Sequence, residues 1–274
     1  EKILISLAKE PYKYYFFTDL GSGQIDLINK YLKDKTVFIL DHHELKETQP
    51  NENIIHVNPH LYNIDGGKEI SGSGVVYLFT NKLNNKKDMA HIAVIGAIGD
   101  VQENNGFEKL NNDILQTAVE QGKIHIKKGL RVFGVQTRPL HKTLEYCSDP
   151  YIPGVSGSES GAIQFLQQIG IEPKNGNGWK KMVNLTEEET QKLIASVIMK
   201  RADEDNPEDV IGNIYSLNDE ESESSLKDAK EFATLLNSCG RLSKASLGIG
   251  VCLNDKVAKK KALANASDYK KEIV

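Results

Sequence analysis

The sequence predicts an α/β fold built on a mainly parallel sheet, followed by a largely helical region. Over the first hundred residues, short apolar runs alternate with amphipathic stretches; beyond about residue 107 the apolar positions fall mostly at helical spacing. YYFFT (14–18), VFIL (37–40) and IIHV (54–57) have the length and the aromatic and β-branched content of strands. Between the first two, Ile25, Ile28 and Leu32 recur at helical spacing from about Ser22 to Leu32, which makes a βαβ crossover. A second helix is expected from about Ser71 through Val75, Val76, Leu78 and Phe79, and a third from about Asp88 toward Asp100, with Ser and Asp as caps.

From Phe107 to Val135 a helix gives way to a mixed pattern, and the Pro- and Ser-rich passage RPLHKTLEYCSDPYIPGVSGSES (138–160) reads as a loop joining two parts. Ser158–Ile169 and Thr186–Ile198 read as helices, the second opened by Glu187, Glu188 and Glu189, where the helix dipole favours acidic residues. NDEESESS (218–225) reads as a solvated charge run. A helix is expected over Leu226–Leu236, then a small Gly-containing segment, CGRLSKASLGIGVCL (239–253), and a Lys-rich helix from about Asp255.

At 274 residues, 39% apolar and 26% charged, the chain has enough material for one large domain or two modest ones. No apolar run approaches the roughly 18 residues of a spanning helix, and EKILISLAKE lacks the form of a secretion signal, so a cytoplasmic protein with no membrane partner is expected. Cys147, Cys239 and Cys252 form no CxxC pair, which gives neither a zinc ribbon nor a disulfide framework. A net charge of −4 supplies no general attraction for nucleic acid; such a partner would need a local basic groove.

Ligands of open parallel sheets bind beyond the carboxyl ends of the strands, where the loops converge. Here those ends are polar: YYFFT runs into Asp19, VFIL into Asp41, His42 and His43, and IIHV into Asn58, Pro59 and His60. Carboxylate beside imidazole suits Mn²⁺ or a related divalent ion, and two such ions would clamp a phosphate and activate water, which points to phosphoester hydrolysis. An Asp at a strand end is commonly a turn former, and a lone His is commonly a surface residue. Two imidazoles beside a carboxylate directly after a buried strand are costly to place without a use. Asp100, ending the apolar run AVIGAIG, is either a ligand or a solvent-exposed helix end. The small residues from Ser71 to Gly74 either admit a phosphate to backbone N–H groups or serve packing and capping. Arg138 and His141 are weaker candidates, and His56 and His91 are read as structural.

FFTDLGSGQ, LDHHE, VNPH, SGSGVVY and GAIGD, in this order, resemble the second, third and fourth motifs of the DHH phosphoesterases with their intervening segments. LLNSCGR resembles the Asn-x-x-Gly-Arg motif of RecJ-type exonucleases. Together with DPYIPGVSGSE and NSCGRLSKASLGIGVCL, the pattern is most similar to archaeal RecJ-like nucleases that associate with the GINS complex. The resemblance implies a DHH phosphoesterase domain with metal ligands Asp19, His42 and Asp100. It implies Asp41 behind them, orienting an imidazole or reaching a metal, with His43 and Asp41 as catalytic residues. Arg241, His43, Asn58, His60, Ser73 and Gly74 are the expected phosphate contacts. Two ions, Mn²⁺ or Mg²⁺, are implied for the full-length protein, with single-stranded DNA or RNA as substrate and GINS and the replicative helicase as partners.

Two family features are missing from this sequence: the first Asp-x-Asp-Gly motif and the C-terminal DHH-associated domain with its Gly-Gly-His segment. The sequence therefore reads as a fragment of a longer protein. The expected division is a core over 1–115, a mainly helical insertion over 116–225 and a return to the core over 226–274. A single-strand exonuclease in replication or repair is the leading expectation; a nano-RNase or dinucleotide phosphodiesterase is the enzymatic alternative. The alternative of another class is a non-catalytic replisome scaffold, docking through the insertion with Trp179 and Phe165 as anchors.

Overall fold

The parallel ladder expected of the first hundred residues is formed. The computed structural model describes residues 1–84, 88–103 and 106–273, with side chains to residue 266. The chain folds as two compact units, Glu1–Gly122 and Lys123–Val274.

The first unit runs α1 (Lys2–Lys9), β1 (Tyr14–Thr18), a 3₁₀ turn at Ser22–Gln24, α2 (Ile25–Tyr31), β2 (Thr36–Leu40), β3 (Ile54–Val57), α3 (Gly72–Asn84), α4 (Ala90–Gly99) and α5 (Lys109–Glu120). Its strands lie in the order β1-β2-β3, all parallel, with Thr18 opposite Leu40 and Leu40 opposite Val57. Successive strand side chains face opposite sides. On one side Tyr15, Val37, Ile39 and Ile54 pack with Leu4, Ile25, Ile28 and Leu32. On the other, Leu40 joins Ile70 and Val75, and Phe16 stacks on Phe38 at 4.6 Å with Phe79 against both. Helices cover both faces, which is why these strands read as unbroken apolar runs. Helix α4, apolar nearly all round, packs between α3 and α5.

The second unit runs β4 (Ile124–Leu130), α6 (Leu140–Glu145), α7 (Glu159–Gln168), the short pair β5 (Lys174–Asn175) and β6 (Gly178–Trp179), α8 (Glu187–Lys200), β7 (Ile211–Leu217), α9 (Ala229–Arg241), α10 (Ala245–Cys252) and α11 (Lys256–Ile273). Strands β4 and β7 pair antiparallel from Ile124 opposite Leu217 to Leu130 opposite Ile211. One core gathers Leu140, Leu144, Ile152, Val155, Phe165, Leu166, Leu193 and Val197.

Three local expectations are corrected. The passage 138–160 is no linker: it contains α6 and sends Leu140, Leu144, Ile152 and Val155 fully into the core. A six-residue helix has no stability of its own, so only burial, worth roughly 1.5–3 kcal/mol per large apolar side chain, holds it. Strand β7 lies in the stretch read as helical. Residues 239–253, read as a small segment, finish α9 and form α10. The compact units also partition the chain differently from 1–115, 116–225 and 226–274. Residues 226–274 share their unit with 123–225, because α9 packs on β7 and α10 and α11 pack on α9.

Candidate metal centre

The site begins where the ladder outlasts the strands. The Asp19 amide donates to the Leu40 carbonyl at 2.9 Å and the Asp41 amide to the Val57 carbonyl at 3.1 Å, so both residues are held at the carboxyl edge by backbone alone. Asp19 then turns into the left-handed region, φ 62°, which Asp tolerates better than most residues. Its carboxylate reaches His42, with Nε2 to Oδ1 at 3.1 Å. Asp100, at the C-terminal end of α4, brings Oδ2 to 3.5 Å from the same nitrogen. Asp19, His42 and Asp100 therefore converge on one point.

The histidines are held by different groups. His42 is buried and its Nδ1 lies 2.6 Å from the Gly66 carbonyl, which places the proton on Nδ1 and leaves Nε2 as the ligand nitrogen. His43 is exposed, and its Nδ1 lies 2.7 Å from Asp41 Oδ1. Asp41 is buried and also accepts the Ser22 amide at 2.8 Å and the His42 amide at 2.9 Å, so its oxygens are engaged inside the protein. Burial raises the Asp41 carboxyl, but hydrogen bonds from His43 and Ser22 outweigh it and hold the pKa at about 2. The hydrogen bond to Asp19, against the opposing effect of burial, lifts His42 to about 9. Burial raises the Asp100 carboxyl, with His42 opposing.

Ligand atoms of Asp19, His42 and His43 lie within 4.8 Å of one another. Oxygen and imidazole donors in this mixture fit a Mn²⁺-type ion, and the backbone leaves room for them: a Cβ on Gly72 would collide with the Asp19 carboxylate.

The other expected contacts divide. Asn58 is buried, donating to Ser22 Oγ and the His43 carbonyl, both at 2.9 Å, and accepting the His60 amide at 2.9 Å; it fixes the His43 backbone. His60 is half-buried on a 3₁₀ turn, Pro59–Tyr62. Ser73 donates to the Ala93 carbonyl at 2.9 Å, and the Gly74 amide donates to Ser71 Oγ at 3.1 Å, the capping and packing arrangement rather than a free anion cradle. Arg241 is exposed at the end of α9, in the second unit. His56 contacts Ser22 Oγ at 2.9 Å, as a structural residue would.

Two residues escaped the sequence reading. Gln102, buried, donates to Asp100 Oδ2 and to the Gly66 carbonyl, both at 2.8 Å. Asn111, buried, donates to Gln102 Oε1 at 2.7 Å and accepts the Ser71 amide at 3.3 Å. One amide thus holds the carboxylate of Asp100 and shares the carbonyl that orients His42. An uncharged Gln just past GAIGD offers no signal in isolation.

Residues 132–214 match the DHH-CID domain family. The matched residues lie within the second unit, Lys123–Val274. The chain is 33% identical over 279 aligned residues to an uncharacterized protein of Methanocaldococcus jannaschii, an alignment covering 100% of this chain and 60% of that protein. Its fold resembles that of CDC45 from Entamoeba histolytica, with a TM-score of 0.69 and 15% identity, covering 99% of this chain and 61% of that one. A crystal structure of exonuclease RecJ bound to manganese aligns at a TM-score of 0.44 and 13% identity, covering 98% of this chain and 51% of that one. The chain thus spans about 60% of the length of the curated relative. No helix among the described residues is long and apolar enough to cross a membrane.

Proposed function

We propose that this chain supplies part of the metal centre of a metal-dependent phosphodiesterase, a single-strand-specific DNA or RNA exonuclease of RecJ type working in replication or repair. The observation that carries the reading is the convergence of Asp19 and Asp100 on His42 Nε2, at 3.1 and 3.5 Å, with His43 exposed beside them. In this reading Asp19, His42 and Asp100 hold a Mn²⁺ or Mg²⁺ ion; the carboxylates of the family's first motif would complete the coordination of both ions. When bound, the ions supply charge neutralisation at the phosphate and a more acidic water. His43, its Nδ1 fixed by Asp41, presents Nε2 outward, where it binds the scissile phosphate or gives a proton to the leaving oxygen. Arg241 is the proposed phosphate clamp, a task that suits a planar guanidinium.

The test is release of mononucleotides from a long single strand by full-length protein at saturating Mn²⁺. Release is expected, with a loss of at least a hundredfold on His43→Ala. Equal rates for the two proteins would remove the catalytic reading, and faster turnover of dinucleotides than of long strands would favour a nano-RNase. A second reading, a replisome scaffold docking on GINS or the replicative helicase, draws on the DHH-CID match over residues 132–214 and on exposed Trp179. Phe165, its other expected anchor, is buried in the core of the second unit.

A further inference from the structure

Arg138 is a cation that the second unit holds in place and leaves unanswered. Its guanidinium lies 4.7 Å from the Phe133 ring centroid and 5.4 Å from that of Tyr146. The backbone makes room for this course: Gly134 has φ 92°, and a Cβ there would lie 2.5–2.9 Å from the Arg138 stem. Among the described residues, no hydrogen bond or ion pair reaches the guanidinium. Glu231 acts on it through space, but that carboxylate is buried and occupied, accepting the Gln136 amide at 2.7 Å and the Thr137 hydroxyl. A guanidinium with its position set and its N–H edge unused is prepared for a bidentate oxyanion.

The surrounding charges decide which oxyanion. Lys142 is neutralised by Glu145 and Glu159 at 2.8 and 3.0 Å, Lys180 by Glu189 at 2.7 Å and Lys181 by Glu223 at 2.7 Å. A nucleic-acid strand gains affinity by engaging several free cations at once; none of these lysines is free, and among the described residues nearby Lys174, without an ion pair, sits 5.2 Å over the Trp179 ring. One charge beside the exposed ring of Tyr146 matches a single carboxylate with apolar neighbours, the pairing of Arg and Tyr common at the centres of protein interfaces.

We propose that Arg138, with Phe133 and Tyr146, is the docking point for an Asp or Glu side chain, flanked by apolar residues, on a partner protein. The assignment stands apart from the nuclease reading, since it involves none of the metal-centre residues.

The test uses the whole protein on an array of twelve-residue peptides, each with one central Asp or Glu among varied apolar residues, beside a twin array carrying Asn or Gln. Binding is expected to the acidic array and not to its twin. Arg138→Met, which keeps an apolar stem against the rings, should weaken it at least tenfold, and Arg138→Lys should restore little. In the unaltered protein, the Arg138 Nε–H resonance should shift on adding a bound peptide, a readout independent of how the variants fold. No binding, equal binding to the twin, or binding unchanged in Arg138→Met would overturn the proposal. So would Arg138-dependent binding of a twenty-residue oligothymidylate without peptide binding, which would reassign the point to nucleic acid.

Discussion

Gly72 and Gln102 show how much of the candidate centre depends on residues that carry no charge. A side chain on Gly72 would occupy the place of the Asp19 carboxylate, so Gly72→Ala should weaken Mn²⁺ binding at least tenfold while leaving the far-ultraviolet spectrum unchanged. Gln102→Ala removes the donor that holds Asp100; isothermal titration should show a 10–100-fold weaker ion, about the loss expected for an outer-shell partner. The His42 imidazole provides the pH test. In ion-free protein its folded pKa of about 9 lies above the unfolded value of 6.5, so its contribution to stability is full below pH 6.5 and lost as pH rises through 9. Ion binding must displace that proton, so Mn²⁺ affinity should climb between pH 6.5 and 9 and then level off. Denaturant midpoints and ion titrations at several pH values check both; a flat ion affinity across this range would mean that His42 is not a ligand.

Helix ends set the next scale. Asp228 caps α9, accepting the Lys230 and Glu231 amides, both at 3.0 Å, yet its burial, reinforced by the charge of Glu231, raises its pKa from 3.8 to about 6. A carboxylate raised in this way stabilises the fold fully below pH 3.8, and that stabilisation declines as pH rises through 6. Asp228→Asn keeps an acceptor at the cap and removes the charge; the stability difference between pH 4.5 and 7 should shrink, by about 2 kcal/mol at most. Thr186 caps α8 in a reciprocal box with Glu189, and Thr186→Ala should cost about 1 kcal/mol in urea unfolding. The acidic first turn of α8 was legible as TEEE because its interaction with the helix dipole is local in the chain. Helix α6 and strand β7 were not legible: the first is too short to show a period, and the second spaces its apolar residues Ile211, Ile214, Tyr215 and Leu217 unevenly.

At the scale of the whole chain, the proposed centre belongs to the first unit and the DHH-CID match to the second. Hydrogen exchange with and without Mn²⁺ should therefore show protection around residues 19, 41–43, 66 and 100–102, and none of comparable size over 123–240. Protection centred in the second unit would place the ion elsewhere.

The sequence by itself determined the three strands, their parallel connection and the polar residues at their ends, because apolar runs, crossover length and capping are local in the chain. Only the tertiary structure decided which group holds which. Asp41 orients His43, whereas His42 is oriented by a carbonyl 24 residues away and Asp100 is held by Gln102. Those pairings depend on the path of the loop around Gly66 and on the packing of α4 and α5, which bring backbone carbonyls and neutral amides to the carboxylates. A hydrogen-bond partner of that kind has no residue-type signature, so only its position identifies it.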